Sequence, residues 1–200
     1  MFERRVKRTY DASSRRAAAE LTRDRICAAA ETLFLRDGYA RTSIRAVAKA
    51  ANVAEATIYL AFPGKGALLD AVIIRATRDN PGERLDAIAA APPEEILPRL
   101  ATSIAALMAR AATLIALGES AALMDAGLRP HRERAHDNLR AALRTIADRL
   151  DEADRLRVTA EDAAGTLYAI ANETTYLRAG LAPERYADWL AATLAALIER

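Results

Sequence analysis

Residues 42 to 65, TSIRAVAKAANVAEATIYLAFPGK, constrain the fold of this chain more than any other stretch. They read as two short helices joined by a tight turn, the unit that sets a helix into a DNA major groove. Thr42 or Ser43 can cap the first helix by offering a side-chain oxygen to its free amides. Ile44, Val47 and Ala48 fall at the i, i+3, i+4 spacing of one apolar face, and Ala48 is small enough for a second helix to cross closely. Asn52 sits at the turn, where Asn tolerates a left-handed backbone better than most residues with a side chain. Val53 and Ile58 would hold the second helix at a steep angle. Glu55, Ala56, Thr57, Tyr59 and Leu60 are left for its other faces.

The flanks strengthen this reading. Upstream, residues 25–39 make an amphipathic helix with Ile26, Ala30, Leu33 and Phe34 on one face and Gly38 as a left-handed stop. Downstream, Pro63-Gly64 breaks the chain, and a helix from Lys65 or Gly66 to about Arg78 carries Leu68, Leu69 and Val72 on its apolar side. Asn80-Pro81-Gly82 marks its end.

Across residues 23–73 the chain resembles the N-terminal domain of the tetracycline-repressor (TetR) family of transcription regulators. The resemblance lies in Ala29-Ala30 through Leu33-Phe34, Asp37-Gly38-Tyr39, Thr42-Ser43, Val47-Ala48, Ala51-Asn52-Val53, Thr57-Ile58-Tyr59, Phe62-Pro63, Lys65 and Leu68-Leu69. So many positions in order over about fifty residues make a specific signal.

Composition agrees with an all-α fold. Hydrophobic residues are 52% of the 200, led by Ala, Leu and Ile, while aromatics are 5%; Ala and Leu favour helices. No apolar run approaches the ~20 residues that span a bilayer. The basic start (Arg4, Arg5, Lys7, Arg8) lacks the apolar core of a secretory signal. The single Cys27 cannot form an internal disulfide. These features point to a soluble, cytoplasmic protein. The net charge of +2 is unevenly spread: residues 1–75 hold 14 Lys and Arg against 8 Asp and Glu, and residues 76–200 hold 15 against 19. Positive charge gathers in the half that would meet phosphate.

We expect a flexible basic arm over 1–15, a DNA-binding domain over 16–80 with its helix-turn-helix at about 43–62, and a helical ligand-binding and dimerisation domain over 81–200. Ala89 to Pro93 reads as a linker, with Pro92-Pro93 and Glu94-Glu95 opening the next helix. Ile96, Leu100, Ile104, Leu107 and Met108 form one stripe; Leu114, Leu117, Ala121, Leu123 and Met124 form a second, ending at Gly127. A charged helix follows from about Pro130 to Leu150. Thr159 with Asp162 opens a helix that runs to Gly180, and Ala182-Pro183-Glu184 opens the last. That makes about nine helices, the number the resemblance also implies.

Nothing in the sequence builds a catalytic centre, so an enzyme is not expected, nor a cofactor. His131 and His136 are five apart, which does not place them on one helix face as a metal pair requires. Cys27 lies in an amphipathic helix with no activating partner. Phe62-Pro63-Gly64-Lys65-Gly66 lacks the spacing of a phosphate-binding loop.

Several DNA contacts follow from position and from the resemblance. Thr42 and Ser43, at a helix start, offer hydroxyls and amides to a phosphate. Lys65 is a second phosphate anchor that family members resemble. Tyr59 matches a family position that touches the backbone or a base edge. Arg45 can reach phosphate, and Thr57 can meet a base edge or a thymine methyl. Glu55 would be repelled by phosphate but can accept from cytosine N4. Leu60 and Ala61 depart from the polar or aromatic residues common in relatives.

A palindromic operator calls for a two-fold dimer. Ala163, Leu167, Ile170, Thr174 and Leu177 on one C-terminal helix, with Leu190, Ala191, Leu194 and Ile198 on the next, read as its apolar surface. The resemblance implies an effector pocket within 94–180, with Met108, Met124, Tyr168, Asn172, Glu173, Tyr176 and Trp189 as candidates. The function expected is a ligand-responsive regulator, a repressor that binds double-stranded DNA as a homodimer and is released by a small molecule. The alternative is a helical small-molecule-binding protein with lost or altered operator recognition, for which Leu60, Ala61 and Glu55 speak.

Overall fold

The computed structural model describes residues 12–78, 80 and 82–200. Among them are ten helices and no strand. The first four are α1 (Ala12–Arg41), α2 (Ile44–Ala51), α3 (Glu55–Ala61) and α4 (Lys65–Arg78). Then follow α5 (Leu85–Ala89), α6 (Pro93–Ala122), α7 (Arg129–Glu152), α8 (Ala160–Ile170), α9 (Glu173–Ala179) and α10 (Pro183–Ile198).

The all-α fold is as expected, with three local differences from about nine helices. The stripe at Ile96–Met108 and the second stripe as far as Ala121 belong to one helix, α6, and Leu123 and Met124 follow it. Between the stripes lie Ala109, Arg110, Ala111, Ala112 and Thr113, with no helix breaker. The stripes differ because the partner changes along the helix, not because the helix stops. A short α5 precedes the linker. The helix expected over 159–180 is broken into α8 and α9 at Ala171 and Asn172: Asn172 Oδ1 accepts from the Thr175 amide at 2.9 Å, capping a new helix start. The opening at Thr159 is as read, its hydroxyl oxygen accepting from the Asp162 amide at 3.1 Å.

Two hydrophobic cores form, and α6 runs through both. The first gathers Ile26, Ala30 and Phe34 of α1, Val47 and Ala48 of α2, Ile58 of α3 and Leu68, Leu69 and Val72 of α4. Ala111, Leu114 and Ala121 of α6 close it from behind. The second packs Leu97, Leu100, Ile104 and Met108 of α6 against Leu143, Ile146 and Leu150 of α7 and Leu190, Leu194 and Ile198 of α10. By length and composition α6 is apolar enough to cross a bilayer, contrary to the expectation that no stretch is; half of that stretch is buried within the protein. Its apolarity is that of a shared central helix.

Gly38 interrupts α1 with φ 79° and ψ 168°. That combination is open essentially to glycine alone, and differs from the left-handed stop expected there. Residues 12–15, assigned to the flexible arm by sequence, lie in α1, and the rest of that arm (1–11) falls outside the described residues. So does Pro81 in the turn after α4.

Candidate nucleic-acid interface and ligand cavity

The helix-turn-helix is set by local chemistry. Ser43 caps α2, its hydroxyl oxygen accepting from the Ala46 amide at 3.1 Å. Asn52 ends α2 in the left-handed region (φ 52°, ψ 53°). Its amide bonds to Lys49 O at 3.3 Å, and the Val53 amide bonds to Ala48 O at 3.0 Å, a Schellman closure. Ile58 is fully buried and pins α3 across α2. The outward face of α3 then carries Glu55, Ala56, Tyr59 and Leu60, with Tyr59 55% and Leu60 89% exposed. Arg45 and Lys49, one turn apart on α2, are exposed beside it. Lys49 was missed by sequence reading, although its spacing from Arg45 signals a shared face.

Three expected contact residues prove to be engaged or half covered. Thr42 is only 2% exposed, and its hydroxyl donates to Gly38 O at 2.8 Å and Leu33 O at 3.2 Å. The expectation that this hydroxyl meets phosphate is corrected: it locks the turn at Gly38. Lys65 Nζ donates to Tyr39 O at 2.9 Å and lies 4.3 Å from the centre of the Tyr39 ring, so much of its charge is already spent on the end of α1. Thr57 is half-buried and borders a groove between α3 and the first turns of α1. A brace unseen in the sequence supports the end of α3. Arg23 of α1 donates to Ala61 O at 2.7 Å, and its guanidinium lies 4.1 Å from the Phe62 ring centre.

A cavity of about 700 Å³ opens behind this module, between α4, α6, α7 and the α8–α9 break. Ile73 and Ile74 of α4, Leu107, Met108 and Ile115 of α6 and Leu139 of α7 form its apolar side. Of the seven residues expected there, Met108, Tyr168, Asn172 and Glu173 line it. Met124, Tyr176 and Trp189 do not, and those assignments are corrected. Met124 sits in the turn after α6 and is 67% exposed, while Tyr176 meets the Tyr186 ring edge to face and Trp189 lies tilted against it, beside the second core. A polar chain unforeseen in the sequence forms part of the cavity's surroundings. Tyr168 Oη and His136 Nδ1 are 2.7 Å apart, His136 Nε2 is 3.2 Å from Glu119 Oε1, and Glu119 also pairs with the buried Arg132. His131 Nε2 lies 3.9 Å from Asp70 Oδ2. The histidines thus sit in side-chain pairs rather than standing as isolated surface residues. Among the described residues no cluster could hold a metal ion. Burial pushes the Cys27 thiol up from its ordinary pKa, which disfavours the reactive thiolate.

The expected dimer stripe also needs correction. Leu167, Leu190, Leu194 and Ile198 are fully buried in the chain's own core, and Ile170 packs half-buried against it. The apolar stripe was real, but it faces inward. The outward faces bear Gly165 and Ala169 on α8, Thr174 and Leu177 on α9, and Trp189, Ala192, Ala196 and Leu197 on α10. Positions 189, 192, 196 and 197 share one side of α10 at helical spacing.

Taken together, these elements define a helix-turn-helix module mounted on a helical domain that encloses a cavity. Residues 26–72 match the family model of bacterial regulatory proteins of the tetR family. No curated protein matches the sequence. Solved structures share the fold along nearly their whole length. A transcriptional regulator of Saccharomonospora viridis, solved with choline, is 19% identical with a TM-score of 0.72, over 90% of this chain and 99% of its own. NalD, the secondary repressor of the MexAB-OprM multidrug efflux pump in Pseudomonas aeruginosa, is 20% identical with a TM-score of 0.71, over 92% and 98%. A TetR-family regulator of Mesorhizobium loti is 19% identical with a TM-score of 0.64, over 91% and 98%.

Proposed function

We propose that this protein is a ligand-responsive repressor that binds a palindromic operator as a homodimer in the cytoplasm and is released by a small-molecule effector. The observation that carries the proposal is the double duty of α4. Its first residue, Lys65, grips the end of α1 within the DNA-reading module, while Asp70, Ile73, Ile74 and Thr77 line the cavity. A ligand in the cavity therefore touches the helix on which the reading module is carried. In a dimer, tilting α4 changes the distance between the two α3 helices, whose half-sites are set by the DNA repeat of about 34 Å. A ligand that prefers the misaligned state lowers DNA affinity by its differential affinity, and DNA lowers ligand affinity equally.

Tyr59, with Ser43, Arg45 and Lys49 around it, is the main DNA-contacting set in this reading; Lys65 adds a charge near the backbone. Glu55 and Leu60 tune which bases are accepted. The dimer forms through the outward faces of α8 and α10, where Gly165 and Ala169 allow close approach and Trp189 and Leu197 supply apolar area. Fluorescence anisotropy against the DNA upstream of its own gene tests the reading. Specific binding that falls steeply with salt is expected, because each neutralised phosphate releases counterion. A second reading, a ligand-binding protein with lost or altered operator recognition, is favoured by the apolar, 89% exposed Leu60 at the tip of the reading surface. Equal affinity for operator and scrambled DNA at every salt concentration would select it. Titrating the effector with and without operator then decides the coupling. Identical ligand affinities in the two titrations would leave a DNA binder without derepression.

A further inference from the structure

The outermost ridge of α3 is hydrocarbon. About 100° of turn per residue places Ala56 and Leu60, four positions apart, within roughly 20° of the side opposite Ile58, the buried residue that pins the helix. Both are exposed, Leu60 by 89%. Glu55 and Tyr59 flank the ridge on one side, and the half-buried Thr57 flanks it on the other. No Arg, Lys, His, Asn or Gln occurs in α3. The helix therefore has no forked donor for guanine O6 and N7, and no side-chain amide to pair with adenine N6 and N7. The exposed cations beside it, Arg45 and Lys49, belong to α2.

What such a ridge can recognise in a major groove is the one apolar group on a base edge, the thymine 5-methyl. Leu60 stands bare in water, so covering a methyl with it removes apolar surface of both partners from solvent. Guanine at the same place would set O6 and N7 against hydrocarbon or the Glu55 carboxylate, and would lose water without gaining a donor. Resting on the operator reading above, we infer that α3 reads its half-site through thymine methyl groups. Leu60 is the residue that determines specificity, and Ala56 is the close-approach surface beside it. Leu60 is then a reader of sequence and not a sign of lost recognition. Arg45 and Lys49 add attraction to phosphate that is indifferent to sequence.

Selection of the full chain against a random duplex library, followed by replacement of each selected thymine with deoxyuridine, tests the inference. Deoxyuridine keeps every hydrogen-bonding group of thymine and lacks only the methyl. At one or more thymines in each half-site the replacement should weaken binding about three- to four-fold, the worth of one buried methyl. In Leu60→Ala the same replacement should cost less than about 1.5-fold, because the group that covered the methyl is gone. Leu60 is exposed, so this variant should keep its helical content and melting temperature, which circular dichroism checks. Selected half-sites without thymine, thymines that all tolerate deoxyuridine, or a penalty as large in Leu60→Ala as in the parent would each overturn the inference while leaving operator binding in place. Enrichment of no sequence at all would instead remove the operator reading, and the inference with it.

Discussion

Tyr39, near the end of α1, donates its phenolic hydroxyl to Asp125 Oδ2 in the turn between α6 and α7, at 2.5 Å. The same carboxylate group accepts from the Gly127 amide at 3.0 Å, and Lys65 Nζ bonds to the Tyr39 carbonyl at 2.9 Å. The helix-turn-helix module and the helices around the cavity are therefore tied at a polar joint, next to the apolar contacts of α6. The joint continues into α7, whose early residues His131 and Arg132 line the cavity.

Removing that tie should loosen the joint in a pH-dependent way. The Tyr39 hydrogen bond holds the Asp125 carboxyl below its ordinary pKa of 3.8, helped by the Gly127 amide. A carboxylate with a lowered folded-state pKa adds stability that is fully present above the ordinary value and is lost as pH falls through the folded one. Tyr39→Phe should thus cost about 1 kcal/mol near neutral pH. Urea denaturation of both proteins at neutral pH and below pH ~4 checks this: the difference should shrink on acidification, and a gap independent of pH would remove Asp125 from the account.

The crossing of α4 and α6 depends on Gly118. A Cβ built there would lie 2.5 Å from Ile73 Cδ1, closer than any relaxed contact. Gly118→Ala alone sets helix propensity, worth about 1 kcal/mol, against overpacking of about 1–3 kcal/mol. In an Ile73→Val background the obstructing methyl is gone, so Gly118→Ala should be more favourable there by about 1 kcal/mol or more. A double-mutant cycle in chemical denaturation measures the coupling, and additivity of the two changes would contradict the crossing geometry.

Tyr59 and Lys65 should separate on two axes. Tyr59 is exposed, so Tyr59→Ala is expected to weaken operator binding about ten-fold or more and to change stability by no more than about 0.5 kcal/mol. Lys65 holds the α1 carboxyl-terminal carbonyls, so Lys65→Ala should weaken DNA binding and also destabilise the fold by about 1 kcal/mol. Anisotropy and thermal melting together distinguish them. Unchanged operator affinity in Tyr59→Ala would take Tyr59 out of the interface.

Neighbouring positions on α10 should fail in different ways. Leu194 is fully buried within the chain, so Leu194→Ala should cost about 2–5 kcal/mol of stability. Leu197 is exposed, and Leu197→Glu should instead shift the mass seen by light scattering from dimer to monomer while the fold remains intact. A dimer unaffected by Leu197→Glu would move the interface off this face.

The local features were legible in the residues because they depend on short-range chemistry. Ser43 as a cap, Asn52 at a left-handed turn, Ile58 as the pin of α3 and Thr159 with Asp162 at the start of α8 all act within a few residues of one another. Hydrophobic periodicity likewise located the faces of α1, α2 and α4 that pack into the first core. Periodicity reports that a face is apolar, but not what covers it. Leu167, Leu190 and Leu194 satisfied the pattern of a dimer surface and were taken up by the chain's own core instead.

Tertiary structure decided the engagements made over long separations. Whether Thr42 and Lys65 meet solvent or a carbonyl depends on how α1 kinks at Gly38, and Tyr39 finds Asp125 only because α6 returns beside α1. Arg23 reaches Ala61 across the folded module for the same reason. The cavity is likewise a property of several helices at once, so Met108 could be placed in it by type while Met124 and Trp189, equally plausible by type, lie elsewhere. A one-dimensional chain carries its caps, turns and apolar stripes in plain view, because their partners are near in sequence. The pairing of stripes, the burial of polar groups and the space left between helices arise only when distant segments compete for the same surface, and that competition is settled in three dimensions.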